Sequence, residues 1–110
     1  MIQDRIAKIE ATLQGADNLP AETKQELLAL LADLKAEVAP LTETHGDHAA
    51  SIARFTDESF HEATRAERNS EQTAAALSGL SESVQGFEAS HPRLVQIVDR
   101  IALTLSNMGI

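Results

Sequence analysis

Four histidines and the carboxylates beside them are the residues of this chain best suited to chemistry. His45 and His48 lie three apart, next to Glu43 and Asp47, and His61 adjoins Glu62. Imidazole and carboxylate one helical turn apart are ligand types of zinc, iron and manganese sites. The competing reading is a solvated polar turn whose histidines cap a helix or face water, and Gly46 between the two histidines favours it. Two Glu-x-x-His pairs also occur, Glu58 with His61 and Glu88 with His91. In di-iron bundles two such pairs meet two further Glu residues inside the bundle. Here Glu58 and His61 fall beside an uncharged stripe, so they are expected to face outward. His91 precedes Pro92, where it orders a helix start.

Nucleophilic catalysis needs a Ser, a His and an acid converging in a pocket. Serine is plentiful, but no strand–turn–helix nucleophile turn and no Gly-rich phosphate loop is present. There is no cysteine, which excludes disulfides, thiolate zinc sites and Cys nucleophiles. No catalytic residue, metal site or cofactor is expected, and a metal-binding helical bundle is a distant alternative.

The elements that would position these groups are helical. The 110 residues suit a single domain, 1–110. Aromatic residues are only 3%, namely Phe55, Phe60 and Phe87, and the apolar content is carried by Ala, Leu, Ile and Val. Ala, Leu, Glu and Gln are good helix formers. Ile2, Ile6, Ile9 and Leu13 lie on one helical face, and Gly15 is a natural stop. A second helix starts around Asn18–Glu22, with Pro20 near its first position. It presents Leu27, Leu31, Leu34 and Val38 and ends at Pro40. Residues 1–40 therefore read as an antiparallel helical hairpin. Residues 42–48 read as a turn, with Asp47 as N-cap of the next helix.

From residue 49 a step alternating between three and four visits Ala49, Ile52, Thr56, Ser59, Ala63, Ala66, Ser70, Thr73, Leu77, Leu80, Val84 and Phe87. None of the twelve is charged, although their surroundings are charge-rich. This is the 3.5-residue repeat of a coiled-coil seam. Its middle, Thr56 to Thr73, is small and weakly polar; its Leu77–Phe87 end is strongly apolar. One unbroken helix over 49–87 would be about 58 Å long at 1.5 Å per residue, whereas a chain of this size folds to a radius of gyration near 13 Å. Either the segment breaks or a second chain covers it. Asn69 followed by Gln72 fits an N-cap with its third-position partner. We therefore expect a central segment, 47–88, made of helices 47–68 and 70–88 that are nearly collinear. A last helix, 92–108, starts at His91-Pro92, carries Leu94, Val98, Ile101, Leu105 and Met108, is broadened by Val95, Ile97 and Leu103, and closes at Gly109.

The expected fold is all-α, a bundle of four to five helices with an N-terminal helical hairpin and a long central helix, either continuous or broken. The formal charge is −8, and residues 43–88 hold nine acidic against three basic groups. Nucleic-acid binding needs a basic face, so neither nucleic acid nor an anionic membrane is an expected partner. The N-terminus lacks the apolar core of a signal peptide, and no apolar run approaches the roughly 20 residues of a membrane span. A cytoplasmic setting is expected.

Phe87-Glu88-Ala89-Ser90-His91-Pro92, running through Leu94 to Leu105-Ser106-Asn107-Met108-Gly109-Ile110, resembles a family of short bacterial proteins classed as a domain of unknown function. Those proteins tend to open with a two-helix, Leu-rich part. The resemblance implies a bacterial, soluble, helical protein and carries no functional residue onto this chain. On its own residues the chain reads as a non-catalytic self-associating or scaffold protein, a homodimer burying Ile52, Phe55, Leu77, Leu80, Val84 and Phe87 against a second copy. The alternative is a small adaptor or regulatory protein that binds another protein through an apolar groove between helices.

Overall fold

Apolar residues three and four apart form most of the helices of this chain. In the computed structural model, which describes residues 2–16, 19–65 and 67–108 and the side chains from Asp4 onward, six helices follow one another. They are α1 (Ile2–Gln14), α2 (Ala21–Val38), α3 (Leu41–Thr44), α4 (Gly46–Ala63), α5 (Ser70–Ser83) and α6 (Pro92–Asn107). No strand occurs among the described residues, and the all-α expectation holds. Asn18, Ala66, Gly109, Ile110 and the side chain of Ile2, all used in the sequence reading, lie outside the described set.

The N-terminal hairpin forms as its periodicity requires. Ile6, Ile9 and Leu13 of α1 and Leu27, Leu31, Leu34 and Val38 of α2 are buried. Lys35 Nζ bonds Glu10 Oε1 at 2.9 Å across the pair, and Lys24 Nζ donates to the Gln14 carbonyl at 3.3 Å. Pro40 ends α2, yet residues 41–44 make a further helical turn rather than an open loop. The N-cap of α4 is His45, not Asp47, which sits in the first turn with the other early N–H groups. Helix α6 lies along α2, with Arg100 on Glu26 at 3.2 Å and Arg93 on Glu37 at 3.8 Å. Both pairs are exposed and each stabilises by about 0–1 kcal/mol; the apolar stripe of Leu94, Val98, Ile101 and Leu105, all fully buried, holds the helix in place.

The central segment departs from expectation. It breaks, as the Asn69 signal indicated: Asn69 Oδ1 accepts from Gln72 N at 3.0 Å. The Gln72 side chain does not return the bond and instead accepts from Arg65 Nη1 at 3.0 Å. But α4 ends at Ala63 and α5 at Ser83, both earlier than expected, and the two are not collinear. The chain reverses, and α5 lies antiparallel on α4. The whole molecule measures 37 × 25 × 20 Å with a radius of gyration of 13.0 Å, too short for the rod.

Four contacts give the register of this reversal: Arg65 to Gln72, Ser59 Oγ to the Ala76 carbonyl at 3.1 Å, the Phe55 ring on Gly79, and the His48 ring on Phe87. In that register Ala49 lies level with Phe87, Ile52 with Val84, Thr56 with Leu80, Ser59 with Leu77 and Ala63 with Thr73. The seam is folded onto itself about residue 68. At three of these levels a small residue of α4 (Ala49, Thr56, Ser59) lies beside a large one of the second half (Phe87, Leu80, Leu77), and all six are buried. Of the described seam residues only Ser70 is exposed. The buried hydroxyls are all satisfied: Thr56 Oγ1 on the Ile52 carbonyl, Thr73 Oγ1 on the Asn69 carbonyl, and Ser59 across to α5.

Gly79 is a point of close approach between α4 and α5. A Cβ built there would lie 2.6 Å from two carbons of the Phe55 ring, so the glycine is what lets the ring approach α5 this closely. Arg54 lies over the same ring, its guanidinium carbon 4.7 Å from the centroid.

Candidate functional site

The six residues expected to form an interface are placed inside the chain's own fold. Ile52 and Leu80 are fully buried, Val84, Phe87 and Leu77 are buried, and Phe55 is half-buried. In the closed hairpin they meet α4, α5 and the helices around them rather than an open surface. Within one chain the reversal between Ala63 and Ser70 lays one half of the stripe on the other.

At the far end of the hairpin the seam finishes in a ring of histidines. The Phe87 ring is met edge-on by His45 at 5.7 Å, His48 at 5.5 Å and His91 at 5.4 Å between centroids. His45 and His48 are themselves 6.1 Å apart. The backbone causes this convergence. His45 and His91 both occupy N-cap positions with nearly the same geometry, φ −139°, ψ 57° and φ −138°, ψ 63°. Each amide donates to the carbonyl four residues back, His45 to Leu41 and His91 to Phe87, both at 2.7 Å. In each, Nδ1 lies 2.9 Å from the hydroxyl of the preceding residue, Thr44 or Ser90. Gly86 makes the preceding turn possible with a positive φ of 96°, and its N–H donates to Glu88 Oε2 at 2.8 Å.

The sequence reading paired His45 with His48 and missed that His91 joins them on one phenylalanine. The available signal was the repeated hydroxyl–histidine dipeptide, Thr44-His45 and Ser90-His91, each just before a helix. The Glu-x-x-His pairs are separated. His61 is exposed in the last turn of α4, beside Asp57, Phe60 and Thr64 in a shallow cavity of about 450 Å³ against α1, while His91 belongs to the Phe87 ring. Among the described residues no three His, Cys, Asp or Glu groups are arranged to hold a metal ion.

Charges on the outer faces pair locally. Arg5 meets Asp57 at 3.4 Å between α1 and α4, and Arg65 meets Glu62 at 3.1 Å. Arg68 is different: its Nη1 is buried and has no hydrogen-bond partner among the described residues. A second shallow cavity, about 510 Å³, runs between the start of α2 and the end of α6. Leu19, Pro20, Leu103 and Met108 line it, and Leu103 is 55% exposed. Leu103 was expected to broaden the buried face of α6 but points away from it. No described helix is long and apolar enough to cross a membrane.

Fold and site together define a small helical bundle built on a self-mated antiparallel hairpin, closed at one end by three imidazoles around a phenylalanine. The chain belongs to a family classed as a domain of unknown function, DUF4404, whose model matches residues 27–110. That match takes in the C-terminal stretch that carried the resemblance and extends back into α2. No curated protein and no solved structure matches the chain.

Proposed function

We propose that this chain is a non-catalytic self-associating or scaffold protein, acting as a homodimer in the bacterial cytoplasm. The observation that supports this reading is the self-complementarity of the seam. Its two halves pack on each other about residue 68, with small against large at three of five levels, so the stripe as a whole is a surface that fits a second copy of itself. Isologous contact requires that kind of pattern. The acidic charge of −8 suits a soluble protein with protein partners rather than nucleic-acid ones. Light scattering on the purified chain at tens of micromolar should report twice the chain mass. A strict monomer at that concentration would remove the reading.

A second reading, a small adaptor, is favoured by Leu103. It stands exposed beside Leu19, Pro20 and Met108 in an open groove suited to an amphipathic helix from another protein. Leu103→Asp should then abolish capture of a partner by the immobilised chain. Because the residue is exposed, folding stability should change by no more than about 0.5 kcal/mol. Capture that survives the substitution would show that the groove is not the docking site.

A further inference from the structure

We infer that two copies of this chain exchange α5 and α6, opening the α4–α5 hairpin at residues 64–69 and re-forming the same seam between chains. The inference rests on the self-association reading and specifies its geometry.

The first observation is the phase of the seam. A helical hairpin needs apolar spacing within each arm only; its connection can hold any number of residues. Here the alternation of three and four continues through the connection without a skip, from Ala63 through Ala66 and Ser70 to Thr73. If 64–69 becomes helical, α4 and α5 fuse into one rod with a single uncharged stripe from Ala49 to Leu80, and Val84 and Phe87 follow it in the turn they already occupy. A second rod, antiparallel and centred on residue 68, then offers each side chain the mate it now has within one chain. A slip of one or two residues in the connection would have put the halves on different faces.

The second observation is the composition of the connection. Thr64, Arg65, Ala66, Glu67, Arg68 and Asn69 include neither Gly nor Pro. The other reversals of this chain use Gly15 and Pro20, Pro40 and Gly46, or Gly86 and Pro92. No described non-glycine residue has a positive φ. Arg, Ala and Glu are strong helix formers, so little in this stretch resists straightening.

The third observation is Arg68. Its buried, unpartnered Nη1 is a cost carried by the closed hairpin. In a continuous helix Arg68 would lie one turn from Glu71, a spacing that allows an exposed ion pair. Opposing these is the loss of the Asn69 cap on Gln72 and of the Arg65–Gln72 bond. The packing of α5 on α4 and of α6 on α2 is recovered between chains. The fused helix over residues 46–83 would be about 57 Å long at 1.5 Å per residue, against a longest dimension of 37 Å for the closed chain.

Because the chain has no cysteine, the exchange can be trapped cleanly. One chain carries Ser59→Cys and another Ala76→Cys, positions in contact across the hairpin. They are mixed unfolded, refolded at several hundred micromolar, and the dimer fraction is oxidised. Exchange joins the two different chains through a disulfide. A dimer fraction that yields no such pair overturns exchange but leaves self-association standing. Full-length chain and Asn69→Ala that both stay monomeric under these conditions overturn both. A second arm does not depend on cross-linking. Two glycines inserted after Glu67 should lower the dimer fraction more than tenfold with monomer helicity unchanged, because they break the rod and its phase. Asn69→Ala, which removes the cap of the closed form in both chains, should raise the dimerisation constant roughly thirtyfold. A dimer indifferent to the insertion overturns the exchange.

Discussion

Leu80→Asp should abolish the folded state rather than yield a folded monomer. Leu80 is fully buried and lies level with Thr56 in the register of the α4–α5 pair. Truncating such a leucine costs about 2–5 kcal/mol through lost burial and the cavity left behind. Aspartate adds a carboxylate with no cation opposite it in the seam, and an unpaired buried charge costs several kcal/mol more. A domain of this size has about 5–15 kcal/mol in total. The variant should therefore lose its cooperative thermal transition and most of its helical circular dichroism. Aspartate at Leu103 is the internal control, because that side chain is exposed. A Leu80→Asp chain that melts cooperatively with normal helicity would show that position 80 is an outer surface.

Phe87→Ala should cost about 3–5 kcal/mol, the range for removing a buried phenylalanine. Phe87 is 6% exposed and joins the end of α5 to the starts of α4 and α6. Phe87→Leu keeps apolar volume but loses the ring contacts, each worth about 0.5–1.5 kcal/mol beyond burial, so its cost should be smaller. Urea unfolding gives both numbers. Proton NMR supplies the specific readout: in Phe87→Leu the ring signals of His45, His48 and His91 should shift, while those of His61, on the far part of α4, should not. Equal movement of all four would indicate a general loosening instead of a local ring.

Much of the fold was legible because it rests on local rules. The α2 and α6 stripes, the stop at Pro40, the cap at Asn69 and the start at Pro92 each follow from spacing or capping chemistry within a few residues. The direction of the chain after Ala63 was not legible. Nothing in residues 64–69 resembles a reversal, and the unbroken phase of the seam argues for a straight rod. What decides it is tertiary: small residues in α4 leave room for the large ones in α5, and that match appears only when the stripe is read against its own reverse. The same blindness affected the site. His91 is 43 residues from His48, and only the meeting of two helix starts on Phe87 brings them together. Leu103 was misplaced for a simpler reason, since a heptad-wide stripe does not say where its margin ends.

The size matching across the hairpin also constrains how this sequence can drift. A larger residue at Ala49 is tolerable only if Phe87 shrinks, and the same reciprocity binds Thr56 to Leu80 and Ser59 to Leu77. Within the family, side-chain volumes at these paired positions should vary inversely, with their sum held nearly constant. Gly79 and Phe55 form a harsher version of the rule: a relative that acquires a side chain at the first position must have surrendered the ring at the second.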